Sequence, residues 1–154
     1  MHYIPRLPGV LQRIGIVYFF ISILYLKSNQ KTQIITAIAL LVGYWALMTL
    51  VPVPTIGEAN LEKETNLAAW LDNILLKDHL WVYSKTWDPE GILSTLPAIA
   101  TGIIGILIEQ LLNSDNSKLA IIKKMIITGG ALVLIGLVWN TFFPINKSLW
   151  TSSY

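Results

Sequence analysis

Four long apolar runs constrain this chain more than any other feature of its sequence. A helix needs about 20 apolar residues to cross a bilayer core of about 30 Å. Inside that core every backbone amide must be hydrogen-bonded within its own helix or in a closed barrel. The runs have this length and lack the alternation of a β-strand, so they predict four membrane-spanning helices. The predicted spans are about 10–26, 33–51, 92–112 and 122–143.

The composition agrees with a membrane protein. The chain is 54% hydrophobic and only 13% charged, with a mean hydropathy of +0.59, which is too apolar for an ordinary soluble domain. We therefore expect an all-α, polytopic transmembrane helical bundle in which residues 1–154 form a single membrane domain in contact with the lipid bilayer. The chain has no cysteine, which excludes a disulfide or a thiol nucleophile. No Lys/Arg run indicates nucleic acid, and we expect no metal site.

Lysine and arginine are unevenly distributed outside the four apolar runs, the last of which is uncharged over 125–143. The connections 27–32 and 113–124 hold five lysines in 18 residues, whereas segments 1–9, 52–91 and 144–154 together hold five cations in 60. The side richer in cations faces the cytoplasm in most membrane proteins. We therefore expect the loop 52–91 and both termini to lie outside the cytoplasm.

The loop 52–91 gathers most of the acidic side chains. It carries seven of the nine Asp and Glu residues of the chain, and its length is typical of a functional loop. Within it, Leu67, Leu71, Ile74 and Leu75 recur at helical spacing. This pattern predicts a short amphipathic helix that lies on the membrane surface or on the bundle.

The sequence "WDPEG" precedes the third predicted span. Asp88 is a suitable N-cap, Pro89 suits the first helical position, and Glu90 would place negative charge at the positive end of the helix dipole. We therefore expect this stretch to begin the third span. Asp88 and Glu90 are also candidates for holding a cationic substrate at the outer mouth of the bundle.

Five motifs occur together and in order along the chain. They are "RLPGVLQRIGIVYF" (6–19), "LVPVP" (50–54), "LDNILLKDHLW" (71–81), "WDPEGILST" (87–95) and "PINKSLWTSSY" (144–154). As a set they resemble the heparan-α-glucosaminide N-acetyltransferase family, including its bacterial relatives. The resemblance implies acetyl transfer from acetyl-CoA to the amine of a glucosamine-type sugar on the outer side of the membrane, with a bacterial inner membrane as the location.

The resemblance also has a gap. Family members have many more spans, and their catalytic histidine lies on a helix before the "PGVLQR" motif. Neither His2 nor His79 corresponds to that histidine. We therefore expect the chain to be an internal part of a larger multi-span acyltransferase, with no catalytic residue of its own and no activity alone. The oligomeric state stays open, a homo-oligomer included.

Gln12 and Arg13 lie near the start of the first predicted span. Ionisable residues inside a span are rare and often functional. Arg13 is a candidate for binding a CoA phosphate or for holding a catalytic carboxylate. The alternative is an arginine whose charged head reaches back to the membrane interface. The motif "LQR" in the resemblance favours a functional role for both residues.

Three further candidates come from the polar segments. His79 is a candidate for hydrogen-bonding a substrate or carrying a proton, and its alternative is a solvated loop histidine. Asn146 and Lys147 follow Pro144 and are candidates for binding sugar or CoA. Their alternatives are a helix cap and an interfacial anchor.

Aromatic and small residues have structural interpretations first. The aromatic residues on the predicted outer side suit an interfacial belt, and a sugar-stacking platform of Trp81, Tyr83 and Trp87 is the alternative. Small residues in the third and fourth spans predict close helix packing. These small residues are Ala98, Gly102, Gly105, Gly129 and Gly130.

Two other functions compete with the enzyme. A small-solute transporter subunit would place charges near the middle of its spans or show internal repeats, and neither pattern is visible here. A non-catalytic membrane scaffold would need no active-site residues at all.

Overall fold

The computed structural model describes residues 6–7, 9–54 and 56–154, and it contains helices but no strands in this part of the chain. Four helices are long and apolar enough to cross a membrane, which confirms the all-α fold with four predicted spans. A short fifth helix lies in the long loop, as the sequence predicts, and one 3-10 turn follows it. The helices are α1 (Val10–Lys27), α2 (Gln30–Leu50), α3 (Leu67–Leu76), α4 (Thr95–Leu112) and α5 (Lys118–Trp139), and the 3-10 turn is Lys77–His79.

Capping side chains fix the starts of α2 and α5, which are earlier than predicted. The Asn29 side chain accepts a hydrogen bond from the Thr32 amide at 2.9 Å, and the Ser117 hydroxyl accepts one from the Ala120 amide at 3.3 Å. These bonds satisfy amides of the first turn that have no partner within the helix. The polar first turns therefore belong to the helices although they are not part of the apolar runs.

The start of α4 differs from the prediction in the opposite direction. The helix begins at Thr95 rather than at the "DPEG" stretch, so the assignment of Asp88 as its N-cap is wrong. A helix that began at Pro89 would hold Pro97 in its interior, where the ring clashes with the preceding turn and removes a hydrogen bond. With Thr95 as the first residue, Pro97 lies in the first turn, where no amide bond is lost.

The helix α4 lies between α1 and α2 and packs against both. Ala37, Ala100 and Ile103 form the buried contact between α2 and α4. A methyl group at Gly102 would lie 3.1 Å from side-chain carbons of Val17 and Ile21 on α1, so this glycine permits close approach of the two helices.

The packing prediction for the other small residues is only partly correct. Ala98 is buried, in agreement with close packing. By contrast, a methyl group at Gly105, Gly129 or Gly130 would have no neighbour within 4 Å among the described residues outside its own helix, so close packing at these three glycines is not found between the described helices.

The helix α3 packs on the bundle through its first turns. Leu67, Ala68, Ala69 and Asp72 are buried, whereas Ile74 and Leu75 are more than half exposed. The apolar face predicted from the sequence is therefore split between the bundle and the outer surface. Exposed aliphatic side chains of this kind suit contact with the membrane.

A second apolar core lies where the loop and the C-terminal segment meet the end of α2. Its buried members are Tyr44, Met48, Val53, Leu67, Ala68, Phe143 and Leu149. The Tyr44 hydroxyl donates to the Leu149 carbonyl at 2.5 Å, and the Ser152 hydroxyl donates to the Leu41 carbonyl at 2.7 Å. The start of α1, the loop, the start of α4 and the C-terminal segment thus lie at one end of the bundle.

The helix α5 buries none of its residues in the part of the chain that the structure describes. Its surface is apolar on all sides, with long runs of exposed leucine, isoleucine and valine. A helix that is hydrophobic all round is typical of a membrane span in contact with lipid or with further helices.

Candidate functional site

Arg6 joins two of the carboxylates that the sequence singled out. Its guanidinium donates from Nε to Asp88 Oδ2 at 2.9 Å and from Nη2 to Asp88 Oδ1 at 2.5 Å. The same Nη2 also donates to the Glu90 carboxylate. The side chain of Asp88 is fully buried, whereas those of Arg6 and Glu90 stay partly exposed. The hydrogen bond to Asp88, together with the nearby negative charges, raises the pKa of Arg6 against the opposing effect of burial.

Residues 88–91 form a turn that is stabilised by its own first residue. The Asp88 Oδ1 accepts from the Glu90 amide at 2.9 Å, and the Asp88 carbonyl accepts from the Gly91 amide at 2.9 Å. A carboxylate that binds the amide two residues ahead is a common way to fix such a turn. Asp88 therefore caps this turn rather than a helix.

Arg13 is buried against the segment that leads into α4. Its guanidinium donates to the Pro89 carbonyl at 2.7 Å and to the Ser94 carbonyl at 2.6 Å, and it lies 4.7 Å from the ring centroid of Trp150. Buried charges need partners of this kind, and a guanidinium above an aromatic face gains further attraction. Only 6% of the residue is exposed, so the Arg13 guanidinium is held by protein groups rather than by solvent.

Asp72 on α3 is a third buried carboxylate in the same region. It is 1% exposed, and its Oδ1 accepts from the Ile92 amide at 2.9 Å. Burial, with a smaller effect from the Asp88 charge, raises the pKa of Asp72 to about 6. The three carboxylates and two arginines form one group, which we call the acidic cluster. Its members are Arg6, Arg13, Asp72, Asp88 and Glu90.

The acidic cluster carries more negative than positive charge. Three carboxylates face two guanidinium groups, so the cluster has a net charge of −1 when all five groups are ionised. The interactions of a partly buried cluster are screened less than those of surface charges. Such a cluster favours the approach of one further cation.

Aromatic rings adjoin the acidic cluster. Trp81 contacts Tyr83 and Trp87 edge to face, with ring centroids 5.5 and 6.2 Å apart. The Arg6 guanidinium lies 5.6 Å from the centroid of Trp81. Tyr83 is 86% exposed, so the aromatic group reaches from the acidic cluster to the surface.

Gln12 and His79 lie next to the acidic cluster and have local structural roles. The Gln12 side chain accepts from the Gly9 amide at 3.0 Å, at the start of α1. The His79 carbonyl accepts from the Leu7 amide at 2.9 Å, which ties the 3-10 turn to the segment before α1. The His79 side chain is half-buried, and His2 lies outside the described residues.

Asn146 and Lys147 belong to the same end of the bundle but not to the acidic cluster. Asn146 accepts from the Ser148 amide at 3.0 Å, and its own amide donates to the Thr151 hydroxyl at 2.9 Å. Lys147 is exposed. Asn146 therefore shapes the C-terminal segment that places Trp150 over Arg13.

The sequence interpretation missed Arg6, Asp72, Ser94 and Trp150 as members of this region. All four lie within the motifs that carry the family resemblance. Asp72 also gave a physical signal, because an acidic residue falls on α3 beside the leucines of its buried first turns. No group of His, Asp and Glu residues that could hold a metal ion occurs within the described ranges.

Comparisons with known proteins agree with the resemblance. No family model matches the chain. Heparan-alpha-glucosaminide N-acetyltransferase of Homo sapiens is 28% identical to this chain in an alignment that is 202 residues long. The alignment covers 97% of this chain and 30% of the human protein. The Mus musculus protein of the same name is 28% identical over 200 residues, with the same coverage. The chain thus spans about 30% of the length of the curated relatives it matches. The chain is thus similar to a part of the heparan-alpha-glucosaminide N-acetyltransferases, which agrees with the resemblance of its five motifs.

Proposed function

We propose that the chain forms part of a membrane-embedded acetyltransferase that moves acetyl from acetyl-CoA to the amine of a glucosamine-type sugar on the outer side of the membrane. The observation that carries this proposal is the convergence of the motifs. Segments far apart in sequence meet at one end of the bundle, where Arg6 of the first motif contacts Asp88 of the fourth. Arg13 of the first motif likewise contacts Trp150 of the fifth.

The reaction needs groups beyond those that we assign to this chain. The attacking amine must lose a proton, which needs a general base, and the tetrahedral intermediate needs donors for its oxyanion. We assign neither role to a residue of this chain, so the chain alone is expected to be inactive. Its part is to bind and orient the substrates, within a larger multi-span protein.

The acidic cluster suits the acceptor. An amino sugar arrives as a cation, and the excess negative charge of the cluster favours it. Glu90 is the best-placed contact, because it is partly exposed whereas Asp88 is fully buried. Arg6 already binds both carboxylates, so the amine would share Glu90 with Arg6. The exposed rings beside the cluster would offer a face to the sugar.

The donor requires cations for its phosphates. Lys147 is exposed at the same end of the bundle, and the neighbouring Asn146 fixes its segment. Arg13 stays a candidate through the resemblance, but its guanidinium is engaged by the Pro89 and Ser94 carbonyls. The geometry therefore favours Lys147 for phosphate contact and Arg13 for holding the start of α4.

The test is acceptor kinetics in membranes that contain the full-length protein. We expect Glu90→Gln to lower kcat/KM for glucosamine about tenfold to a hundredfold, because a hydrogen bond to a charged group contributes about 1.5–3 kcal/mol. The KM for acetyl-CoA should not change. Glu109→Gln is the matched control, since Glu109 lies near the other end of α4 and hydrogen-bonds Asn113.

Two results would contradict the proposal. Unchanged acceptor kinetics in Glu90→Gln would remove Glu90 from the acceptor site. Wild-type membranes that transfer no acetyl group to glucosamine or related amino sugars would overturn the acetyltransferase itself, in favour of a scaffold or a transporter subunit.

A further inference from the structure

Asp72 is a buried member of the acidic cluster to which the proposed function assigns no direct contact with a substrate. It comes from α3, yet its carboxylate reaches the backbone that leads into α4. The Ile92 amide donates to its Oδ1 at 2.9 Å across 20 residues of sequence. Because Asp72 is 1% exposed, water does not compete for this hydrogen bond.

Gly91 provides the space for the Asp72 carboxylate. A methyl group at position 91 would collide with Asp72 Oδ2 and would lie 2.7 Å from Cγ and 2.9 Å from Oδ1. The backbone at Gly91 does not require glycine, because its φ is not positive. The neighbouring carboxylate, rather than the backbone conformation, therefore explains why a side chain does not fit here.

Three anchors together hold the segment that contains Glu90. Arg6 holds Asp88 before it, Asp72 holds Ile92 after it, and Arg13 binds the Pro89 and Ser94 carbonyls. The two arginines come from the first motif, and Asp72 comes from the loop between α2 and α4. Of the three, only Asp72 acts from α3, so it connects the amphipathic helix to the acidic cluster.

We propose that Asp72 is a positioning residue, which seats Gly91 and Ile92 on its carboxylate and thereby fixes the Glu90 side chain towards the acceptor. The packing part of this inference is independent of the reaction. The consequence for acceptor use rests on the proposed function.

The packing part is tested by a double-mutant cycle on the full-length protein, with thermal unfolding in detergent as the measurement. We expect Gly91→Ala to lower Tm clearly in the wild-type and Asp72→Asn backgrounds, because aspartate and asparagine at position 72 both occupy the space next to Gly91. In the Asp72→Ala background the same substitution should lower Tm much less. Gly105→Ala, at a glycine with open space around it, is the control and should not lower Tm. An equal loss of Tm in all three backgrounds would overturn the inference.

Asp72→Ser is a second background with a short side chain, for use if Asp72→Ala does not fold. Here too the Tm loss caused by Gly91→Ala should shrink, and an undiminished loss would overturn the inference.

The positioning part is tested by kinetics at pH 7.5. Both Asp72→Asn and Asp72→Ser remove one negative charge from the acidic cluster, but Asp72→Asn keeps an oxygen acceptor for the Ile92 amide. Asp72→Asn should therefore lower acceptor kcat/KM only a few-fold. Asp72→Ser should lower it about tenfold while the KM for acetyl-CoA stays unchanged. Asp115→Ala, at an exposed position near the other end of the bundle, is the control.

Two results would overturn the positioning role. One is an equal loss of acceptor kcat/KM in Asp72→Asn and Asp72→Ser, and the other is a rise in the KM for acetyl-CoA. If the wild type lacks activity, the proposed function fails, while the Tm cycle still decides the packing.

Discussion

Asp88 accepts three hydrogen bonds, two from Arg6 and one from the Glu90 amide. If Asp88 were only a helix cap, Asp88→Asn would be mild, because asparagine caps about as well as aspartate. The pair with Arg6 changes this expectation, since asparagine cannot match the guanidinium charge. We expect Asp88→Asn to lower the free energy of unfolding by roughly 1–2 kcal/mol, below the full range for a charged hydrogen bond because Arg6 is partly exposed.

The measurement is thermal unfolding of Asp88→Asn in the wild-type and Arg6→Gln backgrounds. If the loss of stability comes from the ion pair, Asp88→Asn should cost clearly less once Arg6 is gone. The same cost in both backgrounds would show that the turn, not the pair with Arg6, depends on the charge.

Asp72 gives the protein a pH dependence of defined sign. Burial raises its pKa from 3.8 to about 6, so between these values the folded state binds the proton more tightly than the unfolded state. The free energy of unfolding should therefore rise as the pH falls from 7.5 to 5. One unit of pKa corresponds to about 1.36 kcal/mol, and pH 5 lies about one unit below the folded-state pKa, so the effect is about 1.4 kcal/mol. The charged or titratable groups that face Asp72 are Arg13, Tyr44, Lys63 and Asp88.

Thermal unfolding at pH 5 and pH 7.5 checks this expectation. In Asp72→Asn most of the difference in stability between pH 5 and pH 7.5 should disappear, because asparagine does not titrate. At pH 7.5 this variant should be at least as stable as the wild type. A wild type that is more stable at pH 7.5, or a variant that keeps the full difference, would contradict the assignment.

At the scale of elements, the apolar runs predicted which helices exist but not where each begins. The starts of α2 and α5 depend on the polar caps Asn29 and Ser117, which lie outside the apolar runs. The start of α4 depends on two opposing signals. "DPEG" has the residues of a helix start, but Pro97 is compatible only with a later start. The Asp88 side chain binds Arg6 and the Glu90 amide, and the helix begins at Thr95.

Gly136 shows how α5 accommodates the C-terminal segment. A methyl group at this position would lie 3.0 Å from the Ser153 carbonyl oxygen, which is too close without a shift of that segment. The gain in helix propensity applies to both Gly136→Ala and Gly129→Ala, so we expect the free energy of unfolding of Gly136→Ala to be roughly 1 kcal/mol below that of Gly129→Ala, at the low end of the overpacking range. The readout is thermal unfolding in detergent.

Gly129→Ala is the matched control on the same helix. This glycine has open space around it, so alanine should be neutral or slightly stabilising through its better helix propensity. If the two variants behave alike, the contact between Gly136 and Ser153 does not contribute to stability.

At the scale of the whole molecule, sequence reasoning predicted the four spans and the family resemblance but not the assembly of the acidic cluster. Arg6 and Asp88 are 82 residues apart, and no periodicity connects positions at such a separation. Arg13 was identified because a charge inside an apolar run is unusual. Its partners could not be identified, since two of them are backbone carbonyls that any sequence provides.

The last prediction concerns the orientation of the molecule in the membrane. The acidic cluster and residue 82 lie at one end of the bundle, and Ser117 lies at the other end, between α4 and α5. Val82 is 73% exposed and Ser117 is also exposed. Because the chain has no cysteine, Val82→Cys and Ser117→Cys each add a single thiol to it.

An impermeant thiol reagent applied to intact cells should label Val82→Cys and leave Ser117→Cys unlabelled until the membrane is opened. The physical reason is the lysine excess in the two connections at the Ser117 end, which retains that end on the cytoplasmic side. The reverse pattern would place the acidic cluster in the cytoplasm. It would then contradict acceptor binding from the outer side, while leaving the packing of the cluster unchanged.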